Sequence, residues 1–157
     1  MLQAITRSSF LQKQVLTLFV GEGPDEAFLR DEVERLGLNN AVRFTGWCDT
    51  ASLYPGIDVL VIASRFEGMP LVMLEALVSN VPVISADRDG MKEILPVDWR
   101  FPCGDVEALV GRLEKAIRIK PFAEIRRLNQ LVKTEMSLEA FKSNFTRAVI
   151  ERCQFTL

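Results

Sequence analysis

The sequence predicts an α/β fold, a doubly wound parallel sheet with helices on both faces. Three observations carry that expectation. Apolar runs of strand length alternate with helical patterns at short intervals. One run, Ile57-Asp58-Val59-Leu60-Val61-Ile62, is β-branched and nearly all apolar, as suits a central parallel strand covered on both faces. Turn residues punctuate the pattern, with Gly21 closing a strand and Gly37 stopping a helix. At 157 residues the chain suits one compact domain, 1–157, with a core from Val15 to Ile117 and C-terminal helices over 121–157.

Each element follows from its own pattern. Met1 to Gln14 reads as helical. Val15 to Val20 reads as a strand. Asp25 to Leu36 is a helix with Phe28, Leu29, Val33 and Leu36 on one face. Ala41 to Thr45 alternates, placing Val42 and Phe44 on one side. Ile57 to Ile62 is the next strand, Met69 to Ser79 the next helix, and Pro82 to Ala86 the strand after it. A short helix is expected around Met91 to Leu95. Asp105 can cap a helix that carries Val106, Leu109, Val110, Leu113 and Ile117 on one stripe. A further helix covers Pro121 to Lys133. Ser137 can cap a last one carrying Leu138, Phe141, Phe145 and Val149.

Composition excludes several classes. The formal net charge of −2 gives no basic field for nucleic acid. The longest apolar runs fall short of the about 18 residues of a membrane span. The N-terminal Met-Leu-Gln-Ala-Ile-Thr-Arg lacks the basic flank and apolar core of a signal peptide, so a cytoplasmic protein is expected. Cys48, Cys103 and Cys153 are three and far apart, which argues against a disulfide framework and a zinc site. Histidine is absent, and with it the commonest general base and metal ligand. Chemistry must use carboxylates, hydroxyls, basic groups or backbone amides; no metal and no cofactor are expected.

In a doubly wound sheet, ligands sit beyond the carboxyl ends of the strands. The informative residues are therefore Gly21–Pro24, Gly46–Cys48, Ser64–Leu71 and Asp87–Gly90. Pro70 suits the first turn of a helix, and Gly68 lets a ligand approach the backbone. The N–H groups of Met69, Leu71 and Val72 then offer a place for a phosphate or sugar oxygen. Glu75 stands in the apolar run Pro-Leu-Val-Met-Leu-Glu-Ala-Leu-Val, which is expected to enter the core. It lies roughly 7 Å along the helix, where the ribose of a docked diphosphate would stand. A carboxylate suits two adjacent hydroxyls. On spacing alone, a ligand carboxylate and a structural or solvated one are equally good readings. Glu67, on the preceding loop, could accept from hydroxyls beyond the phosphate, but alone reads as a solvated loop residue.

The string Ser-Arg-Phe-Glu-Gly-Met-Pro-Leu-Val-Met-Leu-Glu-Ala-Leu, with Glu67 and Glu75 separated by seven residues, resembles the signature of the family 4 retaining glycosyltransferases. Leu18 to Pro24, Val42 to Trp47, Leu53-Tyr54 with Ile57 to Val59, Pro82 to Ile84, Gly90, Glu93 and Pro102 to Asp105 resemble the family in the same order. The likeness covers Val15 to Ile117. It implies one half of a two-domain glycosyltransferase fold, the C-terminal, Rossmann-like, nucleotide-sugar-binding half. On that resemblance the N-terminal acceptor domain, and the Gly-Arg and Lys-Gly elements that supply basic groups, are expected to have no counterpart in these residues.

The resemblance further implies metal-independent, retaining transfer of a hexose from a UDP- or GDP-linked donor to a glycan or lipid-linked acceptor. Bacterial surface polysaccharide synthesis is the setting expected. Glu75 would hold the ribose, and Glu67 would stand at the donor sugar, near the reaction centre. Gly68, Met69, Pro70 and Leu71 would hold sugar and diphosphate, and Gly46, Trp47 and Cys48 would lie by the base. The chain alone is expected to be inactive without the missing half. The alternative is a non-catalytic nucleotide-sugar-binding or assembly module that acts through a partner chain.

Other features have plainer readings. Arg65 and Arg88 are the nearest substitutes for the missing basic groups, though each reads first as solvated or structural. Gly21-x-Gly23-Pro24 reads as a turn. Trp47 could stack on a base or pack on its own loop, and Asp58 reads as a structural acceptor. The basic stretch from Arg112 to Lys133 reads as a solvated helix face, with peripheral contact at the inner membrane surface as its other reading.

Overall fold

The structure is a computed structural model that describes residues 1–66, 68–137 and 139–140. Its order is α1 (Leu2–Arg7), α2 (Ser9–Gln14), β1 (Thr17–Val20), α3 (Glu26–Arg35), β2 (Val42–Gly46), α4 (Thr50–Leu53), β3 (Leu60–Ile62), α5 (Leu71–Val78), β4 (Val83–Ala86), α6 (Asp89–Lys92), β5 (Arg100–Phe101), α7 (Val106–Ile119) and α8 (Phe122–Glu135). Every strand pair is parallel, and helices lie on both sides, giving the expected Rossmann-like α/β architecture. The described strands form two groups, β1-β2 and β3-β4-β5.

The N-terminal helix is two helices. Ser8 is extended (φ −122°, ψ 113°), and its hydroxyl accepts from the Leu11 amide at 3.1 Å while donating to Glu114 at 2.6 Å. Ser8 thus caps α2 and ties it to α7, which breaks the continuous helix expected over 1–14. β1 and β2 place Phe19 opposite Phe44, with rings stacked at 5.2 Å. Phe28 is exposed and not on the buried face of α3, because it lies five residues from buried Val33 and so off its stripe.

Within the group β3-β4-β5 the central strand is β4, and the strand from the Ile57–Ile62 run stands at its edge. All four β4 residues are buried and it pairs on both edges, whereas Leu60 and Val61 of β3 are half-buried. β3 starts only at Leu60, after a 3₁₀ turn over Tyr54–Gly56. Asp58, just before it, takes an exposed ion pair from Lys120 at 3.1 Å. Two-residue β5 has no counterpart in the sequence reading. α6 begins at Asp89, ahead of the expected Met91.

α5 fixes the geometry of the site. It buries Met73, Ala76 and Leu77 in the main core with Val83, Ile84 and Leu128. Truncating a side chain like Leu77 to Ala costs about 2–5 kcal/mol in such packing. The C-terminal end of α5 is clamped by Asn129 of α8, whose amide donates to the Val78 carbonyl at 2.8 Å and to Asn80 at 3.0 Å. Asn80 has φ 61°, a left-handed conformation that asparagine tolerates. These contacts set the rotation of α5 and turn Glu75 outward.

α7 follows the expected stripe, with Leu109 and Leu113 buried, and Asp105 accepts from the Ala108 amide at 2.9 Å as its cap. Ser137 accepts from the Ala140 amide at 3.1 Å, in the manner of a cap. Leu138, Phe141, Phe145 and Val149 of the last expected helix lie outside the described residues. Much of the basic stretch is paired: Arg112 and Lys115 with Asp98, Arg118 with Glu114, and Arg127 with Glu124. No helix among the described residues is long and apolar enough to cross a membrane.

Candidate functional site

The carboxyl ends of the strands gather three loops around the start of α5. The first follows β2. The Gly21 amide donates to the Gly46 carbonyl at 2.8 Å, and both glycines hold positive φ (108° and 65°), which closes the ends of β1 and β2. Beyond Gly46 the chain presents Trp47, which is 79% exposed, and half-buried Cys48. Asp49 then caps α4 by accepting from the Ala51 amide at 3.2 Å, which places Thr50 at the head of that helix.

The second loop runs from β3 into α5. Pro70 is the residue before the helix (φ −72°, ψ 129°), not a member of its first turn as expected; the helix starts at Leu71. Residues this early in a helix have no intrahelical acceptor for their amides, so the N–H groups of Leu71 and Val72 point outward. Leu71 is 71% exposed and Val72 is 40% exposed, with Gly68 and Met69 also open to solvent. Glu67 lies outside the described residues.

The third loop follows β4. Gly90 packs so closely on the second loop that a Cβ there would stand 1.6 Å from the Gly68 carbonyl oxygen. Only glycine permits that approach. Asp87 accepts an ion pair from Arg100, and its amide donates to the Phe101 carbonyl at 2.8 Å, so this residue serves the sheet end. Arg65 is exposed. Arg88 is half-buried, and its buried Nε has no hydrogen-bond partner among the described residues.

The apolar run around Glu75 enters the core as expected, but Glu75 itself faces solvent, which both of its open readings allow. Its side chain does not enter the core; the residue is exposed on the second turn of α5, about 6 Å along the axis from Leu71. An all-apolar helix hides which face is inward, and here Leu71, Val72 and Glu75 are the outward one. Glu75 nevertheless has partners. Its Oε2 accepts from the Tyr54 hydroxyl at 3.0 Å and from the Thr50 hydroxyl at 3.2 Å. Tyr54 is buried and also lies 3.2 Å from the Val72 carbonyl oxygen. Burial, then the hydrogen bond to Glu75 and its negative charge, push the Tyr54 phenol up to about 12; a bond with Thr50 opposes them.

The structure therefore brings Gly68–Leu71, Glu75 and the Gly46–Cys48 loop to one end of the sheet, with Thr50 bridging loop and helix. The sequence alone does not single out Thr50, and marks Tyr54 only through the family likeness. The signal for both was proximity: they open and close the short helix after the Gly46 loop. Cys48 and Cys103 are free thiols, and Cys153 lies outside the described residues. Among the described residues no cluster of Cys, Asp and Glu could hold a metal ion.

Comparison with known proteins agrees with this architecture. The family described as "Glycosyl transferases group 1" matches residues 1–118. Sulfoquinovosyl transferase SQD2 of Arabidopsis thaliana is 32% identical over 116 residues, which is 68% of this chain and 22% of that protein. The Vi polysaccharide biosynthesis protein VipC/TviE of Salmonella typhi is 34% identical over 87 residues, 54% of this chain and 15% of that one. Anabaena HepE, solved in complex with UDP, superposes with a TM-score of 0.83 at 18% identity, over 95% of this chain and 43% of its own. The chain thus spans less than half the length of each of these proteins.

Proposed function

The chain belongs to the glycosyl transferases of group 1, and on that premise we propose that it is the C-terminal, donor-binding domain of a family 4 retaining hexosyltransferase. The donor is a nucleotide diphosphate sugar, UDP- or GDP-linked. The acceptor is a glycan or a lipid-linked glycan, in bacterial surface polysaccharide synthesis. One observation carries the reading: an exposed carboxylate, Glu75, is already held by two hydroxyls one helical turn beyond outward-pointing amides.

Each group then has a task. The amides of Leu71 and Val72, with the helix dipole, take the diphosphate oxygens. Gly68 and Met69 let the donor sugar lie against the backbone, and Pro70 sets the entry into the helix. Glu75 accepts the ribose hydroxyls. The base lies by Gly46, Trp47 and Cys48, where the exposed indole can stack on it. Glu67 is assigned to the donor sugar, near the reaction centre, by the family resemblance alone. Arg65 and Arg88 sit on the loops framing the helix end and are the cations best placed to meet charge on the leaving diphosphate. The bond from the anomeric carbon to the diphosphate oxygen breaks, the acceptor hydroxyl bonds to the same face of that carbon, and its proton passes to the departing diphosphate oxygen, which completes transfer with retention. The acceptor reaches the site through a separate N-terminal domain, at or near the inner face of the membrane.

The test is calorimetric titration of UDP, GDP and their hexose conjugates into this chain and into Glu75→Ala. Binding by the intact chain that weakens tenfold or more in the variant supports the reading, since hydrogen bonds to a charged group contribute about 1.5–3 kcal/mol. Equal binding by both proteins removes Glu75 from the site. Absence of binding at millimolar ligand contradicts donor binding by this domain.

A further inference from the structure

Glu75 has two oxygens, and only one of them is committed. Oε2 takes both hydroxyl contacts, from Tyr54 at 3.0 Å and Thr50 at 3.2 Å, while Oε1 accepts from no described residue. A carboxylate offers about four lone-pair sites, two on each oxygen. With two donors on Oε2, the free pair lies on Oε1. Resting on the donor-site reading above, we propose that Thr50 and Tyr54 are positioning residues that saturate Oε2 of Glu75, so that Oε1 alone receives the two ribose hydroxyls.

The two donors hold the carboxylate from different directions. Tyr54 is 4% exposed and rooted in the main core, so its ring cannot follow a moving glutamate. Its single proton lies between the carboxylate and the Val72 carbonyl, and the nearer, charged acceptor takes it. Thr50 reaches Glu75 from α4, whose start is fixed by the Asp49 cap; its hydroxyl also touches the Tyr54 oxygen, and the charged carboxylate is the stronger acceptor for its one proton. One hydroxyl thus comes from the core beneath α5 and one from the loop that follows β2. An exposed glutamate would otherwise sample several rotamers, and ordering it on binding would weaken affinity. Here it is ordered before the ligand arrives. The second consequence is selectivity: an acceptor pair on one oxygen matches vicinal hydroxyls and loses value when one of them is missing.

The experiment is a cycle of variants against ligands. Tyr54→Phe and Thr50→Val are titrated calorimetrically with UDP and GDP and with the 2′-deoxy counterpart of each, and melting temperatures are recorded. Each variant should weaken the ribonucleotide roughly three- to tenfold, and should weaken the 2′-deoxy ligand distinctly less. Thr50 is outside the core, so Thr50→Val carries the test if Tyr54→Phe fails to fold. Unchanged affinity in both variants would overturn the inference, as would an equal loss on ribo and deoxy ligands, which would mark a merely structural role. If the intact chain binds and Glu75→Ala abolishes binding while these variants do not, only the positioning role falls. If the intact chain binds none of the four ligands, the donor-site reading falls and this inference with it.

Discussion

Glu75 is the residue on which the account turns, and its environment could be read from sequence only halfway. The run around it is apolar throughout, so its hydrophobic pattern does not say which side of the helix is buried. The packing of Met73, Ala76 and Leu77 decides that, and it sends Leu71, Val72 and Glu75 outward. What spacing did convey was the distance from the helix start. What it could not convey was Tyr54, twenty-one residues away, reaching the same oxygen. That contact makes a measurable prediction. Tyr54 is the only tyrosine of the chain, so its ionisation can be followed alone by ultraviolet absorption. Half-ionisation is expected near pH 12, and Glu75→Gln should bring it down, because the variant removes the carboxylate that opposes the phenolate. The folded pKa is raised above the ordinary tyrosine value of 10.0, so the contribution of neutral Tyr54 is whole below about pH 10 and is lost as pH rises through about 12.

At the scale of elements, most helices and the longer strands were legible because their periods differ and their caps are explicit. Asp105 begins α7 as its side chain requires, and Gly21 closes β1. Failures have local causes. Ser8 splits the first helix by capping the second. β5, at two residues, is too short to carry an alternation, and it exists because Arg100 and Phe101 pair with Ser85 and Ala86. The approach of two loops at Gly90 and Gly68 is likewise invisible in sequence, since Gly90 reads as an ordinary turn residue. Two glycine substitutions separate the effects. Gly111, inside α7, has open space where a Cβ would go, so Gly111→Ala should stabilise by about 0.5–1 kcal/mol through helix propensity. Gly90→Ala gains the same propensity in α6 but drives a methyl into the Gly68 backbone, and overpacking of about 1–3 kcal/mol should win. Denaturant midpoints should therefore move in opposite directions. Gly90→Ala should also weaken nucleotide binding, because Gly68 must shift.

For the whole molecule, the doubly wound architecture was legible because strand and helix alternate without interruption, and it placed the ligand end of the sheet before any side chain was located. The sequence did not reveal that the described strands fall into two groups, nor that β4 is the most deeply buried strand. Those features depend on long-range pairing, which a local pattern does not encode. The proposed function is spatial at this scale: it puts the nucleotide diphosphate at one end of the sheet, from the Gly46 loop to the start of α5. The most direct measurement is an amide chemical-shift map of the ¹⁵N-labelled chain during titration with UDP and GDP. The account predicts that the largest shifts fall on Leu71 and Val72, on Gly46 to Cys48 and on Thr50, and that they saturate together. Saturable shifts concentrated at the opposite end of the sheet, around Val97 to Trp99 and the end of α7, would contradict it, and so would a spectrum that neither ligand moves.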